Sequence, residues 1–121
     1  MRNISIETAD HYTWGSKCDG WHLLRTPELS IIEERMPPCT SETRHHHNHA
    51  RQFFYVLDGE LTLEVDHDNH TLRAGEGIEI APGQHHQAIN RSAAPVLFLV
   101  TSQPPSHDDR INEVSQQILQ G

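Results

Sequence analysis

Residues 45–65 read HHHNHARQFFYVLDGELTLEV, a histidine-rich segment followed by two apolar runs. The runs, Phe53 to Leu57 and Glu60 to Val65, are rich in aromatic and branched aliphatic residues, a composition typical of β-strands. Asp58-Gly59 lies between the runs and is the strongest hairpin signal in the chain. This stretch therefore predicts two consecutive strands that follow directly on a cluster of histidines.

The pattern of short strands continues on both sides of this stretch. Further strand signals lie at Leu29 to Arg35, Ile78 to Ala81 and Val96 to Val100. Glycine, proline, aspartate and asparagine separate these runs, as expected of turns. Many short strands at near-regular spacing predict an all-β sandwich or barrel. The length of 121 residues is that of a single domain, which we place at residues 1–121.

One segment near the C-terminus has a different periodicity. Apolar residues recur there at helix-like intervals: Ile111, Val114, Ile118 and Leu119. This spacing predicts a short terminal helix over Asp109 to Gln120. The alternative is a frayed tail after Pro104-Pro105.

The composition argues against several classes of function. Seventeen acidic residues against nine lysines and arginines give a net charge of -8, so the chain lacks the basic surface that binds nucleic acid. No apolar run is long enough to span a membrane, and Met1 to Gly15 lacks the order of a secretory signal. Two cysteines do not imply a disulfide framework. We therefore expect a cytoplasmic protein with reduced thiols.

Histidine is the unusual component of the sequence. The chain has 11 histidines, and four of them lie between His45 and His49. Residues i and i+2 of a strand share a face, so His45 and His47 would point together while His46 points away. Imidazoles that converge from one face are what a divalent transition metal requires.

Other interpretations of the histidine run stay open at this point. The run is also compatible with an exposed loop, or with a register that uses His47 and His49. His45 and His49 have the i, i+4 spacing of a zinc-binding helix, but the strand that follows makes a helix unfavourable. A third ligand would come from His85-His86, and only one of two adjacent strand residues can face the metal.

Two longer motifs place these residues in a family context. The first has the form G-x5-H-x-H-x3,4-E-x6-G. With the required spacing, its positions are occupied here by Cys39, His45, His47, Gln52 and Gly59.

The second motif has the form G-x5-P-x-G-x2-H-x3-N. Its positions are occupied by Gly75, Ala81, Gly83, His86 and Asn90. Taken together, in order and in register, the two motifs resemble those of the cupin superfamily, and in particular its small single-domain members. They span nearly half of the chain.

The resemblance implies a double-stranded β-helix, or jelly-roll barrel, with one divalent transition metal ion inside one end. It also implies that the ligands are His45, His47, Gln52 and His86, so that His85 lies outward or at the rim of the pocket. The ion would be Fe, Mn, Ni, Zn or Cu. Because cupins generally pair through strands and outward aromatic residues, the resemblance further implies a homodimer.

Three positions depart from the motifs: Cys39 replaces glycine, Gln52 replaces glutamate and Ala81 replaces proline. Gln52 matters most, because its carbonyl oxygen is a neutral and weaker ligand than a carboxylate. We expect a more electrophilic metal with open positions, suited to an anionic, chelating substrate such as an enolate or a hydroxy acid. We predict that Cys39 is a small buried side chain rather than a reactive thiol.

The resemblance leaves two classes of function. The first is a metal-dependent dioxygenase or isomerase-like enzyme that acts on a small organic acid or enol, with Glu79 and Tyr55 as candidate bases that strand parity does not place inside the barrel. The second is a non-catalytic module that binds a small molecule or a metal. A purely structural metal site is least favoured, because such sites are usually closed cages rich in cysteine. We expect the remaining histidines on the surface: His11, His22, His67, His70 and His107.

Overall fold

A computed structural model describes residues 2–113, and these residues form twelve β-strands and no helix. In chain order the strands are β1 (Asp10–Trp14), β2 (Cys18–Arg25), β3 (Ser30–Met36), β4 (Thr40–Ser41), β5 (His45–His47), β6 (Arg51–Asp58), β7 (Glu60–Val65), β8 (Asp68–Arg73), β9 (Gly77–Ile80), β10 (His86–Asn90), β11 (Val96–Gln103) and β12 (Arg110–Asn112). Within residues 2–113, no helix has the length and apolar character needed to cross a lipid bilayer.

The strands form two antiparallel sheets. The first has the order β1-β2-β3-β11-β6-β9, and the second has the order β12-β5-β10-β7-β8, with β4 paired to β10. Several neighbours in these sheets are distant in sequence, because the chain passes repeatedly from one sheet to the other. The all-β, double-stranded β-helix fold is thereby confirmed. Apolar side chains fill the space between the sheets, including the fully buried Met36, Leu61 and Phe98.

Strand β6 lies inside the first sheet, between β11 and β9. Gln52, Phe54 and Val56 are buried, whereas the residues between them are exposed, an alternation typical of a strand with one buried face. Burial of an apolar side chain such as Phe54 contributes roughly 2 kcal/mol to the stability of the fold. Because the same alternation includes Gln52, the core packing of β6 also directs this amide into the barrel.

Asp58-Gly59 does not form the predicted hairpin. Strand β6 pairs with β11 and β9, whereas β7 pairs with β10 and β8. The turn therefore carries the chain from one sheet to the other, and Gly59 adopts a φ of 89° there. The tight hairpin in this region connects β7 to β8 instead, through Asp66 and His67. Both residues have positive φ, as a type I′ turn requires.

The predicted C-terminal helix is wrong for Arg110–Asn112, which form strand β12. Ile111 lies opposite His46 in the pairing of β12 with β5, and its side chain is 44% exposed. The unpaired edge of β5 offers backbone hydrogen bonds to this segment, and these override the local apolar periodicity. Residues 114–120 of the predicted helix lie outside the described residues.

The prediction for Cys39 is also wrong. Cys39 is exposed, and it lies in the turn between β3 and β4 with a φ of 60°. Glycine adopts a positive φ without steric cost, in keeping with the glycine that the motif has at this position. The buried cysteine is Cys18, at the start of β2.

Candidate metal centre

Two strands of the second sheet bring three imidazoles together. Strand β5 buries His45 and His47 and turns His46 outward, as the alternation predicts. His86 begins β10 and lies directly opposite His45 in the pairing of the two strands. One nitrogen atom from each of the three buried rings lies within 4.8 Å of the other two. The three side chains could therefore hold one metal ion between them.

The backbone fixes the tautomer of all three rings. Each Nδ1 atom lies close to a backbone carbonyl oxygen: that of Thr43 at 2.8 Å from His45, that of Asp109 at 3.3 Å from His47, and that of Gln84 at 2.9 Å from His86. A carbonyl oxygen only accepts a hydrogen bond, so Nδ1 must carry the proton in each neutral ring. The lone pair is therefore on Nε2, the nitrogen that remains for a metal.

Several buried polar atoms at this point have no hydrogen-bond partner among the described residues. They are His47 Nε2, His86 Nε2 and Gln52 Oε1. The Gln52 amide is oriented by its Nε2, which donates to Ser102 Oγ at 3.0 Å. Buried acceptors without a partner are costly, and their number here fits a bound ligand. Three imidazole nitrogens and one carbonyl oxygen suit a borderline divalent transition metal, so the residues fit the ion that the motifs imply.

Burial keeps these histidines uncharged. It lowers the pKa of His45 to about 3, with a further contribution from the nearby His86. Burial likewise lowers the pKa of His86 to about 4, and it lowers the pKa of His47. The imidazoles are therefore neutral at neutral pH, the form that binds a metal.

Two members of the three-histidine cluster, His45 and His47, line a cavity of about 240 Å³ inside the barrel. Apolar walls come from side chains such as Trp14 and Phe54, and Gln52 lies in the same lining. Arg110, from β12, reaches this cavity as well. Its guanidinium donates from Nη2 to the carbonyl oxygen of Thr43 at 3.3 Å, the same atom that accepts from His45.

Two carboxyl groups also line the cavity, and the sequence analysis missed both. Burial raises the pKa of Glu34 to about 8, with a contribution from the charge of Glu42, and burial raises the pKa of Glu42 to about 7. Tyr12 donates its hydroxyl to Glu34 at 3.4 Å. Glu42 accepts the backbone N–H of Ala88 at 2.9 Å. Its other oxygen lies 3.9 Å from His45 Nδ1 and 3.6 Å from an Arg110 nitrogen.

The two candidate bases from the sequence do not face this cavity. Glu79 is exposed on β9 and pairs with Arg51, while Tyr55 is 37% exposed on the outer side of β6. The alternation of inward and outward side chains along β3 indicates a better candidate than Glu79 or Tyr55. Glu34 lies two residues after the buried Ile32 and two before the buried Met36, so it belongs to the inward face of β3. Glu42 lies outside the strands, where no such pattern exists.

The other histidines near the cluster occupy the outside or the rim. His85 is partly exposed and stacks on His46 with a ring-centroid separation of 4.3 Å, so its predicted outward position is confirmed. His107 is exposed as predicted, but it also lines the mouth of the cavity. Its ring lies 5.5 Å from that of His22, which is only partly exposed.

Comparison with known proteins identifies relatives in bacteria and archaea. The chain is 28% identical to the uncharacterized protein MJ1618 of Methanocaldococcus jannaschii over 81 residues, which are 66% of this chain and 65% of that protein. It is 36% identical to the β-alanine degradation protein BauB of Pseudomonas aeruginosa over 76 residues, which are 61% of this chain and 80% of BauB. The chain thus spans slightly less than two thirds of the archaeal relative.

Solved structures show the same fold. The polyketide cyclase RemF of Streptomyces resistomycificus superimposes with a TM-score of 0.80 and 19% identity, over 96% of this chain and 88% of RemF. The model of the family described as Cupin domain matches residues 32–102, a range that runs from within β3 to within β11 and contains all three clustered histidines. This match covers more than half of the sequence, and the chain therefore belongs to the cupin family.

Proposed function

We propose that the protein is a metal-dependent enzyme that transfers a proton on a small, oxygen-rich organic acid or enol, in isomerase-like chemistry. One observation carries the proposal: two partly buried carboxyl groups share a small cavity with His45 and His47, two of the three clustered neutral imidazoles. The imidazoles suit a metal, and the carboxyls supply the acid–base function that a purely structural or storage site does not need.

His45, His47 and His86 are the proposed ligands of one divalent transition metal ion, with Gln52 Oε1 as a fourth. An ion bound there would act as a Lewis acid and would stabilise negative charge on a substrate oxygen. The protein prepares the ligands for this role through the backbone carbonyls that hold each Nδ1 proton. Because the rings are already neutral and oriented, little reorganisation is needed for binding.

Glu42 and Glu34 are the proposed proton-transfer groups. A catalytic acid or base is most effective when its pKa lies near the working pH, and burial brings the pKa values of these two groups to about 7 and about 8. Both groups are also oriented, Glu42 by the Ala88 N–H and Glu34 by the Tyr12 hydroxyl. A group present in both protonation states can take a proton from one atom of a substrate and return it to another.

The dimensions of the cavity favour a small substrate. The cavity volume is about 240 Å³. It lies just below the range of about 300–1,000 Å³ that is usual for drug-sized ligands. The Arg110 guanidinium in the lining favours an anion. We therefore propose a compact acid rather than a polycyclic substrate.

Solvent-deuterium exchange tests this proposal directly. The protein is loaded separately with Mn, Fe, Ni, Zn and Cu and incubated in D₂O with acetylacetone, oxaloacetate or a phenolic acid, and deuterium uptake is followed by proton NMR. We expect metal-dependent exchange that falls at least about 100-fold in Glu42→Gln. The exposed Glu79→Gln is the matched control and should retain the rate.

The same panel distinguishes the alternatives. Oxygen uptake by the Fe-loaded protein, measured with an oxygen electrode, would favour a dioxygenase. Tight binding of a probe without exchange or oxygen uptake would favour a non-catalytic binding module, and it would overturn the proposed activity.

We also propose a homodimer and a cytoplasmic location. The outer side of β6 leaves Phe53, Tyr55 and Leu57 exposed by 45%, 37% and 41%, and a second copy of the chain would cover these side chains. Light scattering of Tyr55→Lys against the wild type tests the dimer, because a monomeric wild type would contradict it. Cys18 and Cys39 are both free, which suits a reducing compartment.

A further inference from the structure

We propose that Asp109 is a positioning residue of the metal centre: its carboxylate fastens the segment before β12 to the turn after β5, and its backbone carbonyl thereby holds the ring of His47. This inference rests on the proposed metal site. It concerns a residue that lies outside both sequence motifs and that does not itself line the cavity.

The carboxylate of Asp109 caps the turn between β5 and β6. Its Oδ1 accepts the backbone N–H of Asn48 at 3.1 Å, and its Oδ2 accepts those of His49 at 2.7 Å and Ala50 at 2.8 Å. Hydrogen bonds to a charged acceptor are about twice as strong as neutral ones. The capped turn is the short connection between His47 and Gln52, two of the proposed ligands.

The backbone of the same residue contacts a ligand directly. The carbonyl oxygen of Asp109 accepts the Nδ1 proton of His47 at 3.3 Å. This distance is slightly beyond the usual range of about 2.7–3.2 Å, so a small displacement of the segment would break the bond. Without that acceptor, His47 could rotate or carry its proton on Nε2, the atom that a metal needs.

Strand β12 also helps to position a second proposed ligand, His45. Arg110 lies opposite His47 and Asn112 lies opposite His45 in the pairing of β12 with β5. Arg110 also donates to the Thr43 carbonyl that accepts from His45. The segment is fastened separately at its far end, where the Glu113 N–H donates to the Arg44 carbonyl at 2.9 Å. Asp109 is therefore the anchor at the end that faces His47.

The test compares Asp109→Asn with Asp108→Asn. The second variant makes the same change in charge one residue away, at the exposed Asp108. Affinity for Zn²⁺ is measured by competition with a chromophoric chelator in the full-length protein, at a temperature where circular dichroism shows both variants folded. We expect about 10-fold weaker binding for Asp109→Asn and a change of less than about twofold for Asp108→Asn.

A spectroscopic readout separates positioning from a general loss of stability. In the metal-free wild type, ¹⁵N NMR should show the His47 proton on Nδ1 with slow exchange, and in Asp109→Asn that proton should exchange faster. Cu²⁺-loaded Asp109→Asn should also have an altered EPR spectrum, while Asp108→Asn should match the wild type. Equal zinc affinity in the two variants would overturn the inference.

The NMR experiment remains decisive in the two cases where the affinity comparison fails. If Asp109→Asn does not fold, a wild-type His47 protonated on Nδ1 supports the inference, and one protonated on Nε2 overturns it. If the wild type binds no metal ion, the proposed function fails. The His47 tautomer and the protection of the 48–50 amides then still decide whether Asp109 positions the ring.

Discussion

Replacement of Glu34 by glutamine should change how the stability of the metal-free protein depends on pH. Glu34 is partly buried and lines the cavity, and Tyr12 donates a hydrogen bond to it. Glutamine has nearly the same shape and can accept the same hydrogen bond, but it cannot ionise. The variant therefore measures how much an ionised carboxylate at this position lowers the stability of the folded protein.

The magnitude follows from the raised pKa. The pKa of Glu34 is about 8 in the folded protein against the ordinary 4.5, so folding favours the protonated form. Below pH 4.5 both states carry the proton and ionisation costs nothing. As the pH rises, the unfolded chain ionises while the folded protein does not, and stability falls by about 1.4 kcal/mol per pH unit. The unfolded chain is already half ionised at pH 4.5, so between pH 4.5 and 6.5 the wild type should lose about 2.3 kcal/mol relative to Glu34→Gln.

Urea denaturation of the metal-free proteins at pH 4.5, 5.5 and 6.5 measures this difference. Protonation of the buried histidines also changes stability in this range, but it affects the wild type and the variant alike and cancels in the comparison. Glu79→Gln removes an exposed carboxylate and is the control for the loss of one acidic group elsewhere in the protein. A difference between Glu34→Gln and the wild type that does not change with pH would refute the raised pKa of Glu34.

Two further predictions concern the proposed ligands. His47→Ala should weaken Zn²⁺ binding by at least about 100-fold, whereas His46→Ala should change it by less than about threefold, because only His47 faces the cluster; chelator competition measures both. Gln52→Glu should bind Zn²⁺ about 10-fold more tightly and should be less stable without metal, because it buries a carboxylate. An unchanged zinc affinity in Gln52→Glu would mean that residue 52 is not a ligand.

Much of the fold could be predicted because side chains along a strand alternate between its two faces. Glu60 to Val65 was predicted with the observed bounds, and the alternation along β5 predicted that His45 and His47 share a face. Pairing was harder to predict. Asp58-Gly59 has the composition of a hairpin turn, but the partners of β6 and β7 lie elsewhere in the chain. Which strands pair is decided by long-range packing, and a two-residue turn signal does not contain that information.

In the candidate site, too, some residues could be predicted from local sequence patterns and others could not. His45, His47 and His86 have fixed spacings within two motifs, so the sequence could select them before their geometry was known. Arg110 and Asp109 come to the site from a segment about 60 residues after His47, which the sequence predicted as the start of a helix. No local pattern marks such residues, because they acquire their role only when β12 pairs with β5. Glu34 is the intermediate case, since parity on β3 indicated its direction but not its neighbours.

The proposed ligands and the two carboxyl groups of the cavity together determine the charge around a bound ion. Three imidazoles and an amide are neutral, so a divalent ion that they held would keep both of its charges, whereas a glutamate at position 52 would compensate one of them. Glu34 and Glu42 lie in the same cavity, and burial alone favours their protonated forms. A nearby cation favours the ionised forms and therefore opposes burial. Under the proposed function, the ligands supply no negative charge, and the negative charge near the ion comes from Glu34 and Glu42, which can release and accept a proton. Glutamine at position 52 leaves the full charge of the ion available to the substrate.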